Sequence, residues 1–333
     1  MTKRQMLQWI TFAFIAATVC ILLSLRSVPS TYSDNDTGRY VRDFFLFCDQ
    51  ALPKNAEVSQ ELSYWLFYSV TSPSCVSGSV ELFLFEVAAF LPLTLLIFSR
   101  WRKGTFLWAC ALVFSVYGLE LMTNAMRQSL ATLFFFGSLK LVKTHTIRAL
   151  LLGVLAIFAH TSVLLFFPLL LWLSPLRLSK KKLFSYGGIA FVAIAAGLFL
   201  FRSKVAEKYA DFEALQLLYA VRYAESINLS FILFMVLPLY FTYGLRRHFE
   251  KNADIADEKK AVVYSSVLIL ASFILFPTIS YRFTMIAVPM QVFLVTISTR
   301  SSPIIAGIAL FGFVLHLSII LIISDNYSVL IYG

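Results

Sequence analysis

Val80-Glu-Leu-Phe-Leu-Phe-Glu-Val-Ala-Ala-Phe-Leu-Pro-Leu-Thr-Leu-Leu-Ile-Phe98, followed almost at once by Arg100-Trp101-Arg102-Lys103, decides the fold. A helix of about 20 mostly apolar residues spans a hydrocarbon core of roughly 30 Å, and a Lys/Arg cluster at its end is held on the cytoplasmic side. Val80–Phe98 therefore reads as a membrane helix descending to the cytoplasm. Upstream, Thr2-Lys3-Arg4 precedes an apolar run from Leu7 to Leu25. No small-residue cleavage motif follows it and many more apolar runs do, so it reads as the first membrane helix, not a cleaved signal peptide. With both basic flanks cytoplasmic, residues 26–79 form a long periplasmic loop. Its pieces Tyr40–Leu52 and Glu61–Val70 are half apolar, with aromatic residues at helical spacing, as in helices lying in the membrane interface.

The same cuts continue downstream. Thr105–Leu121 returns outward and Asn124–Val142 descends to Lys140, Lys143, His145 and Arg148. The stretch Ala149–Leu173 has basic residues at both ends, Arg148 before and Arg177 with Lys180–Lys182 after, and is broken at Ala159-His160-Thr161-Ser162. One spanning helix cannot place both ends in the cytoplasm, so a short helical hairpin with His160 at its tip is expected. Further helices are expected at Leu183–Phe201, Leu229–Tyr243, Ala261–Phe276, a segment descending to Arg300, and Pro303–Ile323. Between them lie a second periplasmic segment (202–228) and a charged cytoplasmic loop (246–260). The fold class is thus an all-α polytopic membrane protein with about nine to eleven transmembrane helices, forming a single integral membrane domain over 1–333 in a bacterial inner membrane. Composition agrees: 59% of 333 residues are hydrophobic, 33 are Phe and only 14% are charged, more apolar surface than a soluble fold of this size hides. The net charge of +10 sits in clusters between apolar runs, so it sets topology and does not imply nucleic acid as a partner.

Ionisable residues in or beside a membrane are costly and by default mark a site. Those expected at the outer level are Arg26, Asp34, Asp36, Arg39, Arg42, Asp43, Glu61, Glu120, Arg127, His160, Arg222 and Arg282. Arg127, in Met126-Arg127-Gln128-Ser129-Leu130-Ala131, opens an otherwise apolar helix, where a guanidinium either clamps phosphate oxygens bidentately or snorkels to the interface. His160 is a candidate proton acceptor or hydrogen-bond donor, or a buried histidine satisfied by Ser162 or a carbonyl. Arg282 interrupts a long apolar stretch. Asp34-Asn35-Asp36 has the form of a chelating pair, but Ser33 and Gly38 favour a turn, and no metal or cofactor is expected. Glu61 opens the aromatic run Tyr64-Trp65-Leu66-Phe67-Tyr68, suited to a sugar and equally to an interfacial belt. Cys48 and Cys75 are candidates for a disulfide if their loop lies outside the cytoplasm.

Taken in order, Arg26, Asp36 with Tyr40 four residues on, Glu61 with an aromatic three on, Arg127-Gln128-Ser129-Leu130-Ala131, Phe158-Ala159-His160-Thr161-Ser162 and Arg282 resemble the EpsG family of Wzy-like polysaccharide polymerases. The chain departs from the family pattern where Asp34-Asn35 replaces Gly-Thr before Asp36, and where Thr161 replaces Lys after His160. The resemblance implies a GT-C-like glycosyltransferase that transfers a growing glycan from undecaprenyl diphosphate to the non-reducing hydroxyl of the next lipid-linked unit, at the periplasmic face. It implies Arg127 and Arg282 as diphosphate clamps assisted by Arg26 or Arg222. Asp36 or Glu61 would be the proton acceptor, with His160 as orienter or alternative base, and Tyr40 and Gln128 would sit at the substrate. Expected partners are undecaprenyl-diphosphate-linked oligosaccharides, membrane lipid, a flippase and a chain-length regulator. A ligase using the same donor is hardly separable on sequence. A flippase would spread its charges through the membrane depth, and a membrane O-acyltransferase would need a cytoplasmic acyl route and no outer arginines.

Overall fold

The computed structural model describes residues 2–26, 36–48, 62–71, 73–98, 105–114, 116–175, 260–261, 263–268, 286–287 and 290. Of the helices expected beyond 175, only the first part of Ala261–Phe276 and residues 286–287 and 290 of the segment descending to Arg300 are described; the segment 202–228, the segment 246–260 apart from Lys260, and the residues Asp34, Glu61, Arg222 and Arg282 lie outside the described residues. What is described is helical, with no strand among the described residues.

Helix α1 (Lys3–Ser24) starts before the expected Leu7 because of a capping box. The Thr2 side chain accepts from the Gln5 amide at 3.3 Å, and Gln5 Oε1 accepts from the Thr2 amide at 2.8 Å. After it come α2 (Asp36–Cys48), α3 (Leu62–Val70), α4 (Pro73–Ser77) and α5 (Val80–Phe98). Helix α2 begins four residues before the expected Tyr40, and α5 has the bounds its sequence predicts. α1 and α5 pack on each other and are the two helices among the described residues long and apolar enough to cross a membrane. The outward face of α1, with Leu7, Phe14 and Leu22, stays exposed. A cluster of aromatic rings joins α2 and α3 to α5: Phe44 stacks on Phe83 at 4.3 Å, Phe67 meets Phe83 edge-on at 6.1 Å, and Tyr40 lies 5.6 Å from Phe67. Each such pair adds about 0.5–1.5 kcal/mol beyond the area it buries. Cys48 and Cys75 form a disulfide, which ties the end of α2 to α4.

The expected single helix Thr105–Leu121 is instead two, α6 (Thr105–Val113) and α7 (Val116–Thr123). α6 ends at Val113 and α7 begins at Val116, both β-branched residues that support helix poorly. The break between them brings the Leu112 carbonyl so close to Gly118 that a Cβ there would collide with it.

Helix α8 (Met126–Leu141) runs against both α5 and α9 (Thr146–Ala159). The buried positions of α9 are Ala149, Gly153, Ala156 and Ala159, a small-residue stripe that lets the two backbones approach. The Ser138 hydroxyl donates to the Ala149 carbonyl across this seam. After Ala159 the helix stops, a 3₁₀ segment (Thr161–Phe166) follows, and α10 (Phe167–Leu173) continues. An uninterrupted helix would hold Gly153 and Leu170 about 25 Å apart. Here a Cβ on Gly153 would lie 2.7 Å from Leu170 Cδ1, so the chain doubles back as the expected hairpin. Because α8 and α9 are antiparallel, the break at His160 shares one end of the bundle with the start of α8. At the other end Lys140 Nζ donates to the Ile97 carbonyl at 2.7 Å, capping the last turn of α5.

Candidate functional site

Three polar constellations meet at the His160 end of the bundle. The first is centred on Thr37, in the opening turn of α2. Arg26, two residues past the end of α1, donates from Nη2 to Thr37 Oγ1 at 3.2 Å and to the Thr123 carbonyl, 97 residues away in sequence, at 3.1 Å. The Thr37 hydroxyl itself reaches the Thr123 carbonyl at 3.1 Å and Asn124 Oδ1 at 2.8 Å. α1, α2 and the α7–α8 turn are thereby tied through one buried threonine. Burial pulls the Arg26 guanidinium down to about 10, by desolvation of its charged form, so it remains cationic at neutral pH. Asp36, the first residue of α2, is adjacent to this hub through the backbone.

The second constellation joins α2 to α8. Arg127 Nε donates to the Tyr40 hydroxyl at 3.0 Å. Tyr40 is buried, and its carbonyl accepts from the Tyr68 hydroxyl at 3.3 Å, so the phenol is fixed at both backbone and ring. Arg39 lies 5.7 Å from the centre of the Tyr40 ring and Arg127 6.0 Å, which brings two guanidinium groups to one aromatic side chain. One turn further along α2, Asp43 is fully buried and accepts from Arg42 Nε and Nη2 through Oδ1 at 3.1 and 3.0 Å.

The third lies between α8 and the break after α9. Gln128 Nε2 donates to Ser162 Oγ at 3.5 Å. Ser162 Oγ lies 2.6 Å from His160 Nδ1, and the Ser162 amide donates to the same nitrogen at 3.3 Å. His160 is extended (φ −157°, ψ 122°) and caps the 3₁₀ segment with its own ring, which is what ends α9 there. Its half-buried position matches the expectation of a histidine at the hairpin tip.

Of the residues singled out in the sequence, Arg26, Tyr40, Arg127, Gln128 and His160 thus share one end of the helix bundle, together with the backbone of Asp36. Arg127 is held by a phenol and not merely snorkelled into the interface. Gln128 is almost fully buried and turned towards Ser162. Thr37 and Asn124 were not singled out, and Tyr68 only as the last residue of the aromatic run after Glu61. Their signal was weak: a threonine in the first turn of a helix and an asparagine just before another look like ordinary turn residues.

Arginine-rich, tyrosine-lined and half-buried, this end of the bundle suits an anionic ligand with hydroxyls. Two guanidinium groups 101 residues apart in sequence (Arg26 and Arg127) offer preorganised donors to phosphate oxygens, and Tyr40 and His160 offer neutral partners. A comparison with protein families matches residues 9–332 to the model described as the EpsG family. No curated protein and no solved structure matches the chain.

Proposed function

The chain belongs to the EpsG family, a family of Wzy-like polysaccharide polymerases, and on that premise we propose that it polymerises undecaprenyl-diphosphate-linked oligosaccharide units on the periplasmic face of the inner membrane. The observation that carries this reading is the convergence of Arg26, Arg127, Tyr40 and His160 at one end of the bundle. The donor sugar leaves a lipid diphosphate, already a good leaving group, so the task is to hold two membrane-anchored substrates in line and stabilise charge on the departing oxygens. Arg127, braced by Tyr40, and Arg282 are the diphosphate clamps. Arg26 or Arg222 assists. Asp36 or Glu61 takes the acceptor hydroxyl's proton. The Cys48–Cys75 disulfide ties the far end of the Tyr40 helix to α4, and disulfides persist outside the reducing cytoplasm, which supports an external site.

The test is glycan profiling of a deletion strain complemented with wild type, Arg127→Ala, Arg282→Ala, Asp36→Ala, Glu61→Ala or His160→Ala, each checked for expression. Surface glycan capped at one repeat unit, with loss of the ladder in expressed variants, is expected. An unchanged ladder in the deletion strain refutes the polymerase reading. Loss of all surface glycan, single units included, refutes it in favour of a flippase or ligase.

A further inference from the structure

Beyond its first turn, α5 carries one charged residue, Glu86, about 9 Å along the helix from Val80. An ionisable group inside a membrane helix marks a function by default. The Glu86 side chain is half-buried and meets α4, where Ser74 Oγ lies 2.9 Å from its Oε2. The same Ser74 hydroxyl, fully buried, lies 2.6 Å from the Thr71 carbonyl. A carbonyl can only accept, and a hydroxyl has one proton to give. If that proton goes to Thr71, Ser74 turns a lone pair to Glu86, and the second short contact is a hydrogen bond only when the carboxyl is the donor. If it goes to Glu86, two buried oxygens face each other at 2.6 Å with no proton between them, and a carboxylate stands in a membrane helix on one hydrogen bond. Among the described residues no cation offsets such a charge. Of the helices packed on α5, α4 and α6 carry no charged residue, α1 has Lys3 and Arg4 in its first turn, α7 has Glu120, and α8 has Arg127 and Lys140 near its two ends. Both short contacts are satisfied at once by a protonated Glu86.

We propose that Glu86 is held as the neutral carboxylic acid, donating its proton to Ser74, and that it is a positioning residue which seats α4 on the membrane helix α5. The residue after Ser74 is Cys75, whose disulfide with Cys48 holds the far end of α2. α2 is the helix that carries Thr37 and Tyr40, and Tyr40 receives Arg127. One bond at Glu86 thereby anchors, through α4 and the disulfide, the helix that braces the arginine. The positioning role rests on the polymerase reading above, whereas the protonation state stands on the Ser74 geometry alone.

The test has two arms. Membranes at neutral pH are treated with dicyclohexylcarbodiimide, which reacts with protonated carboxyls: the acid proton passes to a carbodiimide nitrogen as the carboxyl oxygen bonds the central carbon, and the adduct rearranges to a stable acylurea. Mass spectrometry is expected to find it on Glu86 and not on Glu81, which is exposed one turn earlier in the same helix. An unlabelled Glu86 overturns the neutral state. The second arm compares ladder formation from lipid-linked single units extracted from the deletion strain, by wild type, Glu86→Gln, Glu86→Ala and Ser74→Ala, with rates normalised to protein in the membrane. Glutamine is neutral and donates to Ser74 as the acid does, so Glu86→Gln should stay within about twofold of wild type. Glu86→Ala and Ser74→Ala should each fall by about threefold to tenfold, the range that one neutral hydrogen bond allows. After reduction with dithiothreitol, checked by alkylation of Cys48 and Cys75, Glu86→Ala should cost less than about twofold against equally reduced wild type, because α4 no longer reaches α2. A Glu86→Gln protein as slow as Glu86→Ala means that the carboxylate is the working form and overturns the proposal. Glu86→Ala at the wild-type rate, or an equal loss in oxidised and reduced membranes, overturns the positioning role. If wild-type membranes form no ladder, the polymerase reading falls with the positioning role, and the labelling still decides the protonation state.

Discussion

Replacing Tyr40 by Phe removes one oxygen and little else, which makes it a sharp probe of how Arg127 is held. The ring is buried against Phe67 at 5.6 Å and keeps its packing as Phe. The backbone anchor also survives, because the Tyr68 hydroxyl bonds the residue 40 carbonyl and not its side chain. What is lost is the 3.0 Å bond that Arg127 Nε donates to the phenol. A hydrogen bond to a charged group contributes about 1.5–3 kcal/mol, and the half-exposed position of Arg127 argues for the lower end of that range. If the bond's role is to hold the guanidinium in its productive orientation, about 1.4 kcal/mol corresponds to a tenfold fall in rate. Tyr40→Phe is therefore expected to form ladder about tenfold more slowly, with protein abundance and thermal midpoint in detergent unchanged. Arg127→Ala should lose at least about a hundredfold, and Arg127→Lys should fall between them because an ammonium lacks the planar fork. A Tyr40→Phe protein with wild-type rate beside an inactive Arg127→Ala refutes the bracing argument. A Tyr40→Phe protein as inactive as Arg127→Ala refutes the idea that the phenol only positions.

Further expectations concern the frame around the site. Cys48 and Cys75 are 27 residues apart, for which loop-closure entropy gives about 3–4 kcal/mol, so reduction or Cys75→Ser should lower the thermal midpoint in detergent by several degrees. An unchanged midpoint would count against a stabilising bridge. Gly153→Val forces side-chain atoms into the space of Leu170 and Phe167, which a bare Cβ already approaches to 2.7 and 3.1 Å, and overpacking of this kind costs about 1–3 kcal/mol. Wild-type stability of that variant would mean that the hairpin seam is looser than these approaches imply. Arg26→Lys keeps the charge, but a shorter side chain without the planar guanidinium does not reproduce the position from which Nη2 serves both Thr37 and the Thr123 carbonyl, so ladder formation should fall several-fold at unchanged abundance. Full activity would show that the Thr37 hub needs only a cation.

The sequence by itself determined the class of this protein and much of its local structure. Val80–Phe98 is long and apolar enough to cross a membrane, and its bounds follow from Ser79 before it and the basic cluster after it. The break at His160 was legible because two basic flanks cannot both be cytoplasmic at the ends of one span. The family was legible from the order of short motifs. Where local chemistry was subtler the sequence misled: a capping box at Thr2 and Gln5 started α1 early, and α6 ends at Val113, before α7 begins at Val116, in a stretch whose hydropathy is continuous. Only the tertiary structure decided who meets whom. Arg127 and Tyr40 are 87 residues apart, and nothing in either motif says that one braces the other. Nor does the spelling of Ala159-His160-Thr161-Ser162 reveal which ring nitrogen accepts. Periodicity and charge bias are properties of one segment in a membrane and are readable from that segment alone. A hydrogen bond between helices depends on the rotation of each about its axis, and that is fixed only when small residues such as Ala149, Gly153 and Ala156 let the helices close on one another.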